Sequence, residues 1–173
     1  MFSTLKIGQP APSFKLKGAL NSQISRYDLV DYKGKWVVFF FYPADFSSIC
    51  PTEVMGFNSC IADFDVKNTQ ILGCSVDSPF AHIAWAKDLG KIAFPLLSDA
   101  HHTASMDYSV YDENEAQSLR GTFIIDPESN LRWYQISDKN VGRSVIEILR
   151  VIDALQTDKE CPVDWKKSEQ TLN

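Results

Sequence analysis

No run of apolar residues in this 173-residue chain approaches the roughly 20 that a membrane-crossing helix needs. The N-terminal stretch also lacks the apolar core of a secretory signal. These two absences set the expectation of a cytoplasmic protein with no membrane partner. Positive charge is in short supply as well: 17 Lys and Arg against 22 Asp and Glu give a net charge of −5. That deficit argues against nucleic acid or an anionic membrane surface as the main partner. No internal repeat, low-complexity tract or linker-like stretch divides the chain, so a single domain over residues 1–173 is expected. Its 45% apolar and 23% charged residues suit a globular domain large enough to bury a full core. Cysteine is sparse, with four in the chain. Without a secretory signal, such cysteines are more often catalytic, redox-active or buried than bridged.

What the chain does contain is one segment more informative than the rest. The loop Tyr42-Pro43-Ala44-Asp45-Phe46-Ser47-Ser48-Ile49-Cys50-Pro51-Thr52-Glu53 follows Trp36-Val37-Val38-Phe39-Phe40, which reads as a buried strand. It precedes apolar residues at Val54, Phe57, Ile61 and Phe64, the spacing of an amphipathic helix predicted over Cys50–Lys67. Cys50 therefore falls in the first helical turn, where Pro51 is tolerated because its missing N–H has no partner to lose. That turn carries free N–H groups and the positive end of the helix dipole, so it favours a thiolate over a thiol. For thiols in general, a pKa falling from about 8.5 to about 6 raises the thiolate fraction at neutral pH about 30-fold. The lower-pKa thiolate is also a weaker nucleophile. Thiolate formation alone does not make a fast catalyst, so stabilisation of the transition state must carry most of the rate.

The remaining pattern is strands mixed with helices. Phe14-Lys15-Leu16 and the residues beyond Asn21-Ser22 suggest an N-terminal hairpin, and Gln70–Val76 a second apolar strand. Ser78 and Pro79 open a helix in N-cap and first-turn positions, running to about Gly90. Phe94–Leu97 is a short apolar segment, and Thr122–Ile125 and Leu131–Ile136 flank a turn at Asp126-Pro127-Glu128-Ser129-Asn130. Val145, Ile148, Leu149, Ile152 and Leu155 share one face of a closing helix. This order predicts an α/β fold with a mixed central sheet flanked by helices.

Other chemistry-bearing residues have plainer readings. Cys60 shares a helix face with Phe57 and Phe64, and Cys74 alternates with Leu72 and Val76, so both are expected to pack in the core. His101 and His102 are adjacent, do not face one another on a helix and lack further ligands, which favours a solvated segment over a metal site. His82 and Trp85 lie three apart on one helix, with packing as the first reading for both. Glu53 suits a helix N-terminus as a simple acidic residue. Arg120 taken alone is most often a surface residue, and Cys161 an exposed thiol.

The cysteine loop resembles the active-site loop of the peroxiredoxins, thiol peroxidases on a thioredoxin-like fold. The likeness continues through Arg120 with Gly121-Thr122-Phe123-Ile124-Ile125-Asp126-Pro127, Val141-Gly142-Arg143, and Glu160-Cys161-Pro162 with Trp165. This ordered set is similar to the typical two-cysteine branch, which includes bacterial alkyl hydroperoxide reductase C subunits. The resemblance implies that Cys50 is the peroxidatic nucleophile, that Ser47 Oγ hydrogen-bonds thiolate and peroxide, and that Pro43 shields the sulfur. Arg120 matches the site guanidinium. Glu53, Arg143 and Tyr42 become supporting residues, with Glu53 orienting arginine beside its plainer reading. Residues 157–173 become a C-terminal segment carrying the resolving Cys161. Ser47-Ser48-Ile49 stands where many relatives have Thr-Phe-Val, which keeps the hydroxyl but removes a bulky aromatic.

The expected function is thiol-dependent reduction of hydrogen peroxide or organic hydroperoxides. The resemblance implies that Cys161 of a partner chain resolves the Cys50 sulfenic acid, and hence a homodimer, with rings of dimers as a further assembly. A thioredoxin-like or flavin-dependent disulfide reductase supplies electrons, and this chain itself needs no metal, haem or flavin. Two alternatives stand beside this: a redox-regulated holdase chaperone, and a peroxide sensor that relays its disulfide. Overoxidation is expected to be slow. Among the peroxiredoxins that the chain resembles, those that overoxidise easily have a Gly-Gly-Leu-Gly insertion and a C-terminal extension that cover the cysteine helix; residues 86–93 contain no such insertion, and the residues after Trp165 are few and polar.

Overall fold

The computed structural model describes residues 5–173. Its strands are β1 (Lys15–Leu20), β2 (Gln23–Asp28), β3 (Trp36–Phe41), β4 (Thr69–Ser75), β5 (Leu96–Ser98), the short pair β6 (Tyr111–Asp112) and β7 (Gln117–Ser118), β8 (Arg120–Ile125) and β9 (Leu131–Ser137). The helices are α1 (Cys50–Ser59), α2 (Ile61–Asp65), α3 (Pro79–Leu89), α4 (Thr103–Asp107) and α5 (Val145–Thr157). Seven strands form one sheet in the order β2-β1-β5-β4-β3-β8-β9. β3, β4 and β5 run parallel, joined by helical crossovers, while β1, β2, β8 and β9 add antiparallel pairings. This is the mixed sheet that the alternation of elements predicts.

β3 is apolar throughout because it is buried on both faces. Val38, Phe40 and Tyr42 point into a core with Val54, Phe57 and Phe64 of α1 and α2, Trp85 of α3, and Ile148 and Ile152 of α5. Val37, Phe39 and Phe41 point the other way, into a core with Phe14, Leu72, Leu97, Tyr108 and Phe123. Asn21 and Ser22 turn the first hairpin with positive φ at both positions, the backbone a two-residue hairpin requires. The Ser78 hydroxyl accepts the Ala81 N–H and caps α3, as its sequence position predicts.

One predicted helix is two. Instead of running from Cys50 to Lys67, the chain breaks at Cys60 (φ −102°, ψ 13°), whose N–H turns back to the Phe57 and Asn58 carbonyls. The apolar spacing runs through the break because Phe57 and Phe64 stay in one core on either side of it. α4 and the β6–β7 pair carry no apolar periodicity of their own. His102 also departs from the solvated reading: it is half-buried in a left-handed conformation and packs on Tyr111 with ring centroids 4.6 Å apart. His101 is exposed.

Candidate active site

The antiparallel pairing of β3 with β8 sets Phe40 opposite Thr122, so the C-terminal end of β3 lies beside the N-terminal end of β8. The first delivers the chain into the loop ending at Cys50, and the second begins with Arg120. Topology therefore places a helix-start cysteine and an arginine at the same edge of the sheet. The Cys50 side chain is fully buried, and Arg120 donates from Nη1 to its sulfur at 3.3 Å. Pro51 follows directly, inside the first turn. The sulfur thus sits where a helix N-terminus and a guanidinium both favour negative charge.

Glu53, one turn along α1, organises the cations. Arg120 Nη1 donates to its Oε2 at 2.6 Å, while Arg143 donates to Oε1 from the backbone at 3.0 Å and from Nε at 2.9 Å. The rest of the Arg143 guanidinium ties the sheet to Glu53: Nη1 donates to Gly121 O and Thr122 Oγ1, and Nη2 to Phe41 O and Glu53 Oε2. Burial pushes the Arg143 pKa down from its usual value, and the Glu53 carboxylate opposes that shift. Arg120 is fixed from its other side by Nε donating to Lys139 O at 2.7 Å. Every charge in the cluster has a partner, the condition under which buried ions persist.

The loop itself is pinned by other groups. Pro43 is buried, and Tyr42 is fully buried, packing on Trp85 with ring centroids 5.6 Å apart. Ser47 differs from the expectation. Its hydroxyl donates to Ala44 O at 2.9 Å, closing the loop on itself, so its single hydrogen is not directed at Cys50. Ser48 is exposed. His82 is more than a packing residue: it is fully buried, with Nδ1 2.8 Å from Asp45 Oδ2 and Nε2 3.0 Å from Leu97 O. These partners lie 37 and 15 residues away in sequence, so no local pattern reveals them. Cys60 is half-buried against the core, and Cys74 is buried in β4 with its thiol pKa pushed well up by burial. Cys161 lies just beyond α5, half-buried, with its sulfur 3.5 Å from Thr157 Oγ1.

A family model described as the AhpC/TSA family matches residues 7–134. The thioredoxin-dependent peroxide reductase, mitochondrial, of Drosophila melanogaster is 44% identical over 94% of this chain and 74% of its own length. The chain belongs to the AhpC/TSA family, the peroxiredoxins. Peroxiredoxin-4 of Rattus norvegicus is 45% identical over 98% of this peroxiredoxin, which spans 66% of that relative's length. The reduced 2-Cys peroxiredoxin of Plasmodium vivax superposes with a TM-score of 0.92 at 34% identity, covering 95% of this chain and 91% of that one. The mixed sheet with its flanking helices is accordingly the thioredoxin-like fold of the peroxiredoxins. No helix among the described residues is long and apolar enough to cross a membrane.

Proposed function

We propose that this peroxiredoxin reduces hydroperoxides through Cys50. The observation that carries the reading is the contact between Arg120 Nη1 and the buried Cys50 sulfur, fixed from behind by Glu53. In the first step the thiolate attacks one peroxide oxygen and the O–O bond breaks. Sulfur loses two electrons and becomes the sulfenic acid. The other oxygen leaves as hydroxide or alkoxide and takes a proton from solvent, giving water or an alcohol. Charge moves from sulfur to the leaving oxygen, so donors fixed around both are worth most in the transition state. The Arg120 guanidinium and the N–H groups of the α1 start are such donors, and Pro43 screens the sulfur. Ser47 contributes its hydroxyl to the peroxide once that hydrogen leaves Ala44 O.

Cys161 is proposed to resolve the sulfenic acid, forming the disulfide and releasing water. Geometry favours a partner chain for this step. Arg143 and Gly142, just ahead of α5, lie beside the Cys50 site, with Arg143 on Glu53 and Gly142 facing Ile49. Cys161 lies past the opposite end of α5, against Thr157. A 13-residue helix is about 20 Å long, whereas disulfide-bonded Cα atoms lie within about 7 Å. The exposed edge strand β9, with Tyr134 and Ile136 on its surface, suits a homodimer, and rings of such dimers would be a further assembly. A thioredoxin-like dithiol protein is the proposed reductant, by analogy with the thioredoxin-dependent relative in the fly. A reducing compartment such as the cytoplasm suits the four free thiols.

Peroxide consumption by the native chain and by Cys50→Ser tests the first step, and unchanged turnover in the variant would refute it. Non-reducing electrophoresis after one equivalent of peroxide tests the second: a covalent dimer is expected, absent in Cys161→Ser. A monomer bridged internally through Cys60 or Cys74 would overturn the assignment of Cys161.

A further inference from the structure

Of the described loop residues 43–49, Asp45 alone is hydrogen-bonded across to the β4–α3 side of the sheet. Its backbone N–H donates to Asp77 Oδ2 at 2.8 Å, and that same oxygen accepts the Ser75 hydroxyl at 2.7 Å. Its carboxylate is fully buried, with Tyr42 O–H on one oxygen and His82 Nδ1 on the other, each at 2.8 Å. The hydrogen positions follow from the partners. The Leu97 carbonyl only accepts, so His82 Nε2 carries a hydrogen. Burial keeps the Tyr42 phenol protonated, so it donates to Asp45. One further hydrogen lies between Nδ1 and Oδ2, and the pair is neutral as a whole whichever atom holds it. Three side chains, of Tyr42, Asp77 and His82, thus grip one loop residue without leaving an unpaired charge in the core.

The residue after this anchor shows why one is needed. Phe46 adopts φ +57°, a conformation that side-chain-bearing residues avoid, and its side chain is 58% exposed. A loop holding such a residue with little burial opens readily unless something nearby fastens it. Cys50 lies at the far end of that loop with no exposed surface. Attack on peroxide uses the sulfur where it is, beside Arg120, whereas bonding to Cys161 of another chain requires it to leave the core.

We propose that the buried His82–Asp45 pair positions the Cys50 loop, holding it closed for reaction with peroxide and setting how readily it opens for the disulfide step. This rests on Cys50 being the peroxidatic cysteine. Neither residue touches the sulfur or the substrate; both act through the loop. Weakening the pair therefore has effects of opposite sign, slowing formation of the sulfenic acid and speeding its resolution. A role confined to general stability does not produce that opposition.

Two substitutions at one position separate the bonds. In His82→Asn the amide nitrogen sits near the former Nδ1, keeping the bond to Asp45 and losing the one to Leu97. His82→Gln reaches the Leu97 carbonyl and loses Asp45. Rapid-mixing measurement of Cys50 oxidation, of disulfide formation and of amide hydrogen exchange is made on the full chain. For His82→Gln the expected results are about tenfold slower oxidation, a faster disulfide step and about tenfold faster exchange across residues 43–50. Exchange in β3 and β4 stays unchanged, and His82→Asn stays within about threefold of the native rates. Asp45→Ala, which leaves Nδ1 without its partner, is expected to follow His82→Gln and serves where a His82 variant does not fold. Equal effects in Asn and Gln, faster exchange throughout the chain, or an unaltered loop in His82→Gln would each overturn the proposal. If the native chain fails to reduce peroxide, the reading of Cys50 falls, while the exchange contrast between variants still judges the anchor.

Discussion

Replacing Glu53 by Gln removes the one negative charge shared by two buried guanidiniums. The Gln side chain keeps one carbonyl oxygen. It can accept from the Arg143 backbone and Nε, as Oε1 does now, but an NH2 group then faces Arg120 Nη1 and Arg143 Nη2. Two cations that share a carboxylate are left to repel each other in a site where their side chains are only 4% and 3% exposed. Removing one partner of a buried ion pair costs about 3–5 kcal/mol, a large part of the roughly 5–15 kcal/mol that holds a domain folded. For a chain of this length each kcal/mol lowers the melting temperature by about 2–4 °C, so a fall of about 6–20 °C is expected. Arg120 also loses the anchor that aims it at Cys50, and a slip of about 1 Å there costs about 100-fold in rate. Calorimetry and single-turnover oxidation of Cys50 measure the two effects, with the exposed Glu128→Gln as the control. A melting temperature within about 2 °C of the native value, with an unaltered rate, would refute the shared-carboxylate reasoning.

Alkaline pH should destabilise the chain. Burial raises the pKa of Cys74, Tyr42 and Tyr108 well above their usual values, so above the ordinary thiol and phenol ranges the unfolded chain binds fewer protons than the native one. Stability is then undiminished below about pH 8.5, falls as pH rises past it, and falls faster above about pH 10, by about 1.4 kcal/mol per pH unit for each group; urea unfolding at pH 7 to 10.5 would show a flat line if this is wrong. The same burial should leave Cys74 unlabelled by iodoacetamide in the folded state while Cys161, half-exposed, reacts, and labelling of both at similar rates would contradict the packing. With no Gly-Gly-Leu-Gly between Trp85 and Phe94 to cover the Cys50 helix, the disulfide should outrun overoxidation. Mass spectrometry after turnover in millimolar peroxide should find little sulfinic acid on Cys50, and a predominance of it would falsify that inference.

Much of this architecture is legible in local sequence because local physics decides it. The apolar run of β3, the Ser78 cap and the Asn21-Ser22 turn each depend on residues within a few positions of one another. Arg120 and Glu53 were within reach of motif reasoning, but their shared contact with Arg143 depends on the pairing of β8 with β3 and on the chain returning ahead of α5. The break at Cys60 left no trace because it preserves the burial of Phe57 and Phe64. His82 reads as packing in the sequence, since a histidine one turn from a tryptophan on an apolar helix face reveals neither Asp45 nor the Leu97 carbonyl. The Ser47 hydroxyl shows the limit of transferring a motif: the residue type is in place, and its hydrogen is spoken for by Ala44.

The proposed chemistry depends above all on which sulfur meets the peroxide. Cys161→Ser removes the proposed resolving thiol, so one equivalent of hydrogen peroxide should leave a sulfenic acid that dimedone traps and peptide mass spectrometry locates. The expected result is near-stoichiometric adduct on Cys50, with none on Cys60 or Cys74. An adduct on either of those cysteines, or peroxide left unconsumed, would contradict the assignment of Cys50.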